Sequence, residues 1–541
     1  MQSINRSTIR TGILRNSLIN FGRTVTLRCN STLAAPDNNI PLQHVPSLPL
    51  LGSTIPFHSG MDFLDLHNLF SNARKKYGDF YTIGIPNLGT GLYGTLHIVQ
   101  DPQEMMKVLR AEGKYPTSSV QNIWSFKAVQ NDYEFGRAGE ILGYGEDWKL
   151  IRGFLQNDLL SPDAARRYLP GILQTVPFIS KGMPGNANNL DQYLNRASFD
   201  MFNSILIGAF PRITDPDTDS DPVDVEFSDK IAHVIGAGLE MTRSVKLTLL
   251  HKLGIKSSEY KNLYKEWSEA IEYPFNKFDE LERKRAEGTL TPSEKASYWN
   301  QAMNRLEEGK SGLTKEEVNK ICLTLFNVSV DTTSTKTAWH LLHLGLNEEA
   351  QEKLYEEILH NVQETDGKIT PALFAPSNSP YLGAVLRESN RLTCPANLTP
   401  IRTIASEVEI HGNVIPTGSV IAFDQGSKSL DPEFVDDPHS FRPERFLPDA
   451  IAARKGTKAE FLDHPLFSGP FGQGARRCPG SRVARNESLA LIAQCVLDWK
   501  MSVPGYTDYR DVPYALETLL TPKLPTFAFE GRNRASFSQN A

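Results

Sequence analysis

"FGQGARRCPG", residues 471–480, sets one cysteine, Cys478, between Arg476–Arg477 and Pro479–Gly480. A buried small hydrophobe, half of a disulfide and an incidental surface thiol are the ordinary readings of such a residue. The flanks point elsewhere. Pro479 fits the first turn of a helix, where its missing N–H costs nothing. That helix would be "GSRVARNESLALIAQCVLDW", residues 480–499, which carries an apolar face. The sulfur then sits at a helix N-terminus, where partial positive charge favours thiolate. Gly472, Gly474 and Gly480 let the backbone turn tightly and approach something flat. Arg476 supplies charge to an anionic group beside it. A thiolate, an arginine and a close backbone suit a metal cofactor bearing carboxylates, and haem with an axial cysteine is the candidate.

The whole chain is compatible with that reading. It has 541 residues, 40% hydrophobic and 22% charged, which is ordinary globular composition with ample length for a large core. A net charge of -6 argues against bulk nucleic-acid binding. The five cysteines, Cys29, Cys322, Cys394, Cys478 and Cys495, are scattered and form no CxxC pair. That argues against a disulfide framework or a structural zinc site and for a reducing compartment. Cys322, Cys394 and Cys495 read as core thiols. His340 and His343 stand three apart in "AWHLLHLGL" with no third ligand in view, and read as ordinary helix residues. In "TDPDTDSDPVDVE" the alternating Asp215, Asp217 and Asp219 imitate a calcium loop. Ser220 stands where the glycine is needed, so a solvated acidic loop is expected.

Residues 1–36 differ from the rest. They contain Arg6, Arg10, Arg15, Arg23 and Arg28, many Ser and Thr, and no acid before Asp37. Arginines interrupt the apolar residues, so neither a signal-peptide core nor a membrane span is present. The composition is that of an organelle transit peptide, mitochondrial first and plastid second. A Pro/Gly hinge at 37–60, one large domain at 61–530 and a tail at 531–541 complete the expected organisation. "DFYTIGIP" and "GTLHIVQD" read as a hairpin. Helical patterns dominate from about 140 to 400, among them "TKEEVNKICLTLF" behind a Thr314–Glu317 capping box and "LNEEAQEKLYEEILHNV". Short strands return in "EVEIHGNVIPTGSVIAF", where Gly412–Asn413 marks a tight turn.

The cysteine stretch, Phe471-x-x-Gly474-x-Arg476-x-Cys478-x-Gly480, resembles the haem loop of cytochrome P-450 enzymes in full. Other segments resemble the family in its order: Trp148 and Arg152 in "GEDWKLIRGF", Asp331–Thr332 in "NVSVDTTST", Glu388 and Arg391, Arg402 in "TPIRTIASEVEI", and Arg445 in "FRPERF". The wording of "LTKEEVNKICLTLFNVSVDTTST" and "LNRASFDMFNSILIG" is similar to the mitochondrial class. The resemblance covers roughly residues 45 to 530. It implies a mainly α fold with small β-sheets, with haem b between an oxygen-activating helix and the cysteine-loop helix. Cys478 would ligate the iron. Trp148, Arg152, Arg402, Phe471 and Arg476 would bind the cofactor, the arginines at its propionates. Asp331 and Thr332 would deliver protons to dioxygen, while Glu388, Arg391 and Arg445 would form a structural ion network.

The function so implied is a monooxygenase that inserts one oxygen atom into a small apolar substrate: sterol-like, isoprenoid or fatty-acid-like. A ferredoxin-type electron donor and a peripheral membrane contact go with it. A haem-thiolate isomerase or dehydratase and a non-catalytic haem protein are the alternatives. Substrate contacts are expected from "TSSVQNIWSFKAVQNDYEFGRAGE" and "TCPANLTP", both read as loops. The chain departs from the family in three places. Ser329 replaces a glycine two places before the acid. Ser481 and Arg485 stand where mitochondrial members often carry a basic residue and an acid. Gly383 lacks one of two basic positions, while Arg387 keeps the other.

Overall fold

The run from Lys315 to Leu346 has apolar or small residues round most of its circumference, so it is largely buried and becomes the central axis of the fold. The computed structural model describes residues 42–46, 64–86, 93–117, 124–309, 311–396, 398–467, 469–516 and 519–532. All of these belong to one unit, Asn39–Ala541. Residues 1–36, Cys29 with them, most of 37–60 and the tail from 533 lie outside the described residues. The fold is mainly α with small sheets, as expected.

Six helices position the site. They are α1 (Gly145–Leu159), α2 (Pro162–Gly182), α3 (Leu190–Leu206), α4 (Lys315–Leu346), α5 (Pro380–Leu392) and α6 (Ser481–Asp498). The Thr314–Glu317 capping box starts α4, and Glu317 also pairs with Arg137 at 2.8 Å, which fixes the helix's entry into the core. Four aromatics pack round Phe326 and one another. The Phe326 ring meets Phe199 at 5.4 Å, Phe202 at 5.6 Å and Phe227 at 5.4 Å, all edge-on, while Tyr273 stacks on Phe227 at 4.2 Å. That cluster holds α4 against α3 one turn ahead of Asp331.

Seven of the strands are β1 (Gln43–His44), β2 (Phe80–Pro86), β3 (Tyr93–Val99), β4 (Leu398–Thr403), β5 (Val408–Ile410), β6 (Asn413–Ile415) and β7 (Val420–Asp424); four more among the described residues, after α6, form two small two-stranded sheets. Five of the seven form one sheet in the order β1-β2-β3-β7-β4. The expected hairpin is β2–β3, with Phe80 opposite Val99 and Pro86 opposite Tyr93. The second turn differs from its expected position. Ile410 pairs with Asn413, so the central residues are His411 and Gly412, with φ of 46° and 74°. A two-residue turn of this kind needs positive φ at both places. Glu104 accepts from the His411 N–H at 3.2 Å and helps hold that residue there.

Two local expectations also need correction. Residues 124–132 of the supposed substrate loop form a helix, tied down by Ser125 Oγ donating to the Gly238 carbonyl at 2.5 Å. Residues 118–123 and Asn397 of the two proposed substrate segments lie outside the described residues. In the acidic loop Asp215 is buried rather than solvated, because Arg212, Thr218 and the Asp217 N–H all bond its carboxylate. Among the described residues no group of acids, histidines and cysteines is arranged to hold a metal ion.

The Glu–Arg–Arg network joins α5 to residues 429–445. Glu388 is fully buried and accepts from Arg391 at 2.7 Å and Arg445 at 3.3 Å. Arg391 Nη1 also donates to the Ser429 and Pro438 carbonyls, each at 2.7 Å. One carboxylate thus ties α5 to the chain that leads into the cysteine loop. Losing one member would strand a buried charge, a defect that typically costs about 3–5 kcal/mol.

Candidate active site

Cys478 is held by backbone. Its N–H donates to the Phe471 carbonyl at 2.9 Å, and the loop folds back through Arg477 N–H to Gly474 O at 3.1 Å. Gly474 is required twice over. Its φ is +77°, and a Cβ there would stand 2.8 Å from Glu112 Oε1. Helix α6 begins at Ser481 with Gly480 as its N-cap, so Pro479 lies in the turn before the helix, not in its first turn. The thiol also differs from expectation. Burial pushes Cys478 up, while the Gly480 N–H, Arg152 and Arg477 pull it down. In the polypeptide alone desolvation outweighs the helix terminus.

Around this loop the fold gathers arginines. Arg476 lies over the Trp148 ring at 3.9 Å and donates to the Pro116 carbonyl at 2.7 Å and to the Gly143 carbonyl at 2.5 Å. Arg152 follows Trp148 by four residues on α1, so both project from one face. Arg402, on β4, donates to Glu112 at 2.7 Å and to the Gln473 carbonyl at 2.6 Å. Burial, then the charges of Arg402 and Arg152, push Arg476 down to about 10. Burial also lowers Arg152 and Arg402.

The Nε of Arg152 is buried without a hydrogen-bond partner. Three cations therefore converge with one directly bonded carboxylate, Glu112, and an unused donor remains. The arrangement accepts a doubly anionic group, and the two propionates of a haem meet that requirement.

Asp331 and Thr332 lie midway along α4. The helix is buried on both sides of them, yet Val328 is 41% exposed, Thr332 is exposed, and Ser329 and Asp331 are half-buried. Asp331 is thus only partly buried. Val328 and Thr332 are one turn apart and make the open stripe of an otherwise buried helix. The Thr332 hydroxyl donates to the Val328 carbonyl at 2.9 Å, and the Ser329 hydroxyl to the Phe326 carbonyl at 3.1 Å. Such back-bonding is what a serine in place of glycine is expected to do, and it loosens the helix locally.

Sequence reasoning missed two acids. Glu112 sits in "RAEGKYP" with no local signal, since its partners Arg402 and the Ala475 N–H are 290 and 363 residues away. Glu487 is buried on α6, hydrogen-bonds the Thr333 hydroxyl next to Thr332, and is pushed by burial up to about 8. Its signal was an acid among the apolar positions of that helix. The histidines are ordinary in one sense only: both are buried, without metal geometry, and burial with nearby Lys336 drives them well below their usual range.

Comparison with known proteins adds the remaining evidence. The family model described as Cytochrome P450 matches residues 43–529. The chain is 25% identical to a 2-hydroxyisoflavanone synthase of Glycyrrhiza uralensis, over 86% of each chain. It is 26% identical to the mitochondrial sterol 26-hydroxylase of Homo sapiens, over 81% of this chain and 79% of that one. A dihydroniloticin synthase of Azadirachta indica is 25% identical over 84% and 85%.

Proposed function

The chain belongs to the cytochrome P450 family of haem-binding monooxygenases, and from that premise we propose a mitochondrial enzyme that takes electrons from a small acidic ferredoxin and hydroxylates a sterol-like, isoprenoid or fatty-acid-like substrate. The observation that carries the site assignment is the loop of Cys478 ringed by Arg152, Arg402 and Arg476 with an unused buried donor. Cys478 holds the iron, and the haem supplies the oxygen-activating chemistry. Arg152, Arg402 and Arg476 hold the propionates, Trp148 fixes Arg476, and Phe471 closes the cysteine loop. The open stripe of α4 faces substrate, and Asp331 and Thr332 move protons there.

The donor assignment rests on charge. Arg387 on α5, Arg477 beside the cysteine, and Arg482 and Arg485 on α6 surround one face of the loop. Among the described residues only Arg387 of these four has an acidic partner within 4 Å, Asp463 at 3.1 Å. Gly383 leaves α5 short of one basic side chain, but Arg485 reaches over it: a Cβ on Gly383 would stand 3.9 Å from the Arg485 guanidinium. The missing charge is supplied from the neighbouring helix. Docking between opposite charges is screened by salt. Reduction by a ferredoxin should therefore slow steeply as ionic strength rises, and Arg482→Glu should slow it at low salt. Turnover from a diflavin reductase, with none from ferredoxin at any salt, would overturn the donor assignment.

Two observations support the location. Residues 1–36 are Arg-rich and acid-free. Leu249, Leu253 and Ile255 are 45%, 66% and 51% exposed within seven residues, interspersed with Lys252 and flanked by Lys246 and Lys256. Such a patch suits the surface of an anionic bilayer. No helix among the described residues is long and apolar enough to cross one. On cell fractionation the full chain should sediment with mitochondrial membranes. Changing Leu249, Leu253 and Ile255 to serine should move it to the matrix fraction, and deleting residues 1–36 should leave it in the cytosol. A full chain found in the cytosol would refute the address; triple-serine protein still on membranes would refute the patch.

A further inference from the structure

A cavity of about 460 Å3 lies between α4, α5, the cysteine loop and α6. It is lined by none of Cys478, Trp148, Arg152, Arg402 and Arg476, but it adjoins the site described above, sharing Phe471 and Arg477 of the cysteine loop with it. Its wall carries Lys336, Arg387, Arg477, Arg482 and Arg485 against a single carboxylate, Asp463. That carboxylate is already engaged by Arg387 at 3.1 Å and by Arg454 at 2.6 Å.

Lys336 is the informative residue. It is 7% exposed, on the innermost helix of the fold, and bonds the Thr393 carbonyl at 3.3 Å. Among the described residues no carboxylate lies within 4 Å of it. Burial pulls the Lys336 amine down to about 7, so the group takes up its full charge only where an anion pairs with it. Three further buried atoms of the wall have no hydrogen-bond partner: His340 Nδ1, Ser481 Oγ and Arg387 Nε. Ser481 and His340 are 2% and 1% exposed. An amine with one long bond to a carbonyl, and a hydroxyl and a guanidinium N–H with no acceptor among the described residues, are the donors of an oxyanion site. At the rim, desolvation and the charges of Arg482 and Arg387 pull Arg485 below the usual arginine range, and among the described residues neither Arg482 nor Arg485 has an acidic partner within 4 Å.

We propose that this cavity binds a compact oxyanion, phosphate or carboxylate, with Lys336 at its floor, Ser481, His340 and Arg387 as further ligands, and Arg482 and Arg485 at its mouth. The site shares Arg387, Arg482 and Arg485 with the face assigned to the electron donor. A bound anion would lower the positive charge of that face, so anion level and electron delivery would be linked.

The test needs no donor, so its failure is distinct from failure of the donor assignment. Inorganic phosphate is titrated into the haem-loaded full chain by calorimetry, with ionic strength held constant by sodium chloride, and sodium acetate is run in parallel. One saturable site is expected. Lys336→Met removes the buried charge at nearly constant volume and should weaken binding about ten- to a hundredfold, the loss of one charge-assisted hydrogen bond. Arg482→Gln, at an exposed position that does not endanger folding, should weaken it severalfold. Both variants should keep the thiolate spectrum of the haem. Saturation by acetate in place of phosphate supports the site and assigns it to carboxylates. No saturable binding of either anion at constant ionic strength, or wild-type affinity in Arg482→Gln and in folded Lys336→Met, would overturn the proposal.

Discussion

Cys478→Ala should abolish the red-shifted Soret band of the reduced carbon-monoxide complex, while Cys322→Ala, Cys394→Ala and Cys495→Ala should retain it. The band reports a thiolate on the iron. Cys322, Cys394 and Cys495 are buried, and burial pushes all three thiols up, Cys495 to about 12. Cys478 is also raised, but it alone has two guanidinium groups, Arg152 and Arg477, pulling the other way. It is also half-buried, where the other three are buried. Iron would complete what those arginines begin, since a coordinating thiol is deprotonated by the metal itself. Survival of the band in Cys478→Ala, with loss in one of the other three, would overturn the ligand assignment.

The second large effect is expected at α4. Oxygen activation takes two electrons and two protons, and without ordered proton delivery reduced oxygen leaves as hydrogen peroxide. General acid–base groups typically contribute about 10²–10⁴-fold in rate. Asp331→Asn should slow turnover in that range while the thiolate spectrum persists, because Asp331 lies on α4, away from the cysteine loop. Thr332→Ala should leave reductant consumption nearly intact but divert it to peroxide. Ser329 is the complication. Its hydroxyl donates to the Phe326 carbonyl at 3.1 Å, and a rotation would free it to replace Thr332. The Thr332→Ala defect should therefore be partial and deepen in Ser329→Gly/Thr332→Ala. The measurement is product formed per reductant consumed, with peroxide titrated alongside. Unchanged coupling in all three variants would place the proton path elsewhere. Product formed without any reductant would make the protein an isomerase.

Much of the site was legible in ten residues because the constraint there is local. A loop that must present a sulfur and keep a flat approach needs glycines at fixed offsets, and Gly472 and Gly474 do have φ of +65° and +77°. The capping box at Thr314, the β2–β3 hairpin and the spacing of Trp148 and Arg152 are local in the same sense. At element boundaries local reading slipped by one or two residues, while the helix over Trp124–Asp132 was missed outright. The turn fell on His411–Gly412, and α6 began after Pro479, because pairing across the strands and the first helical hydrogen bonds set those boundaries.

Sequence by itself determined the family and the mainly α architecture, and singled out Cys478 as the candidate ligand, since each rests on residue type at short spacing. Tertiary structure alone decided how charge is balanced. Glu112 meets Arg402 across 290 residues, Arg485 of α6 stands over Gly383 of α5, and Lys336 is buried on α4 with no carboxylate within 4 Å among the described residues. A charge buried in low dielectric is governed by whatever lies within a few ångströms, and those neighbours come from elements far apart in the chain, so spacing carries no record of them.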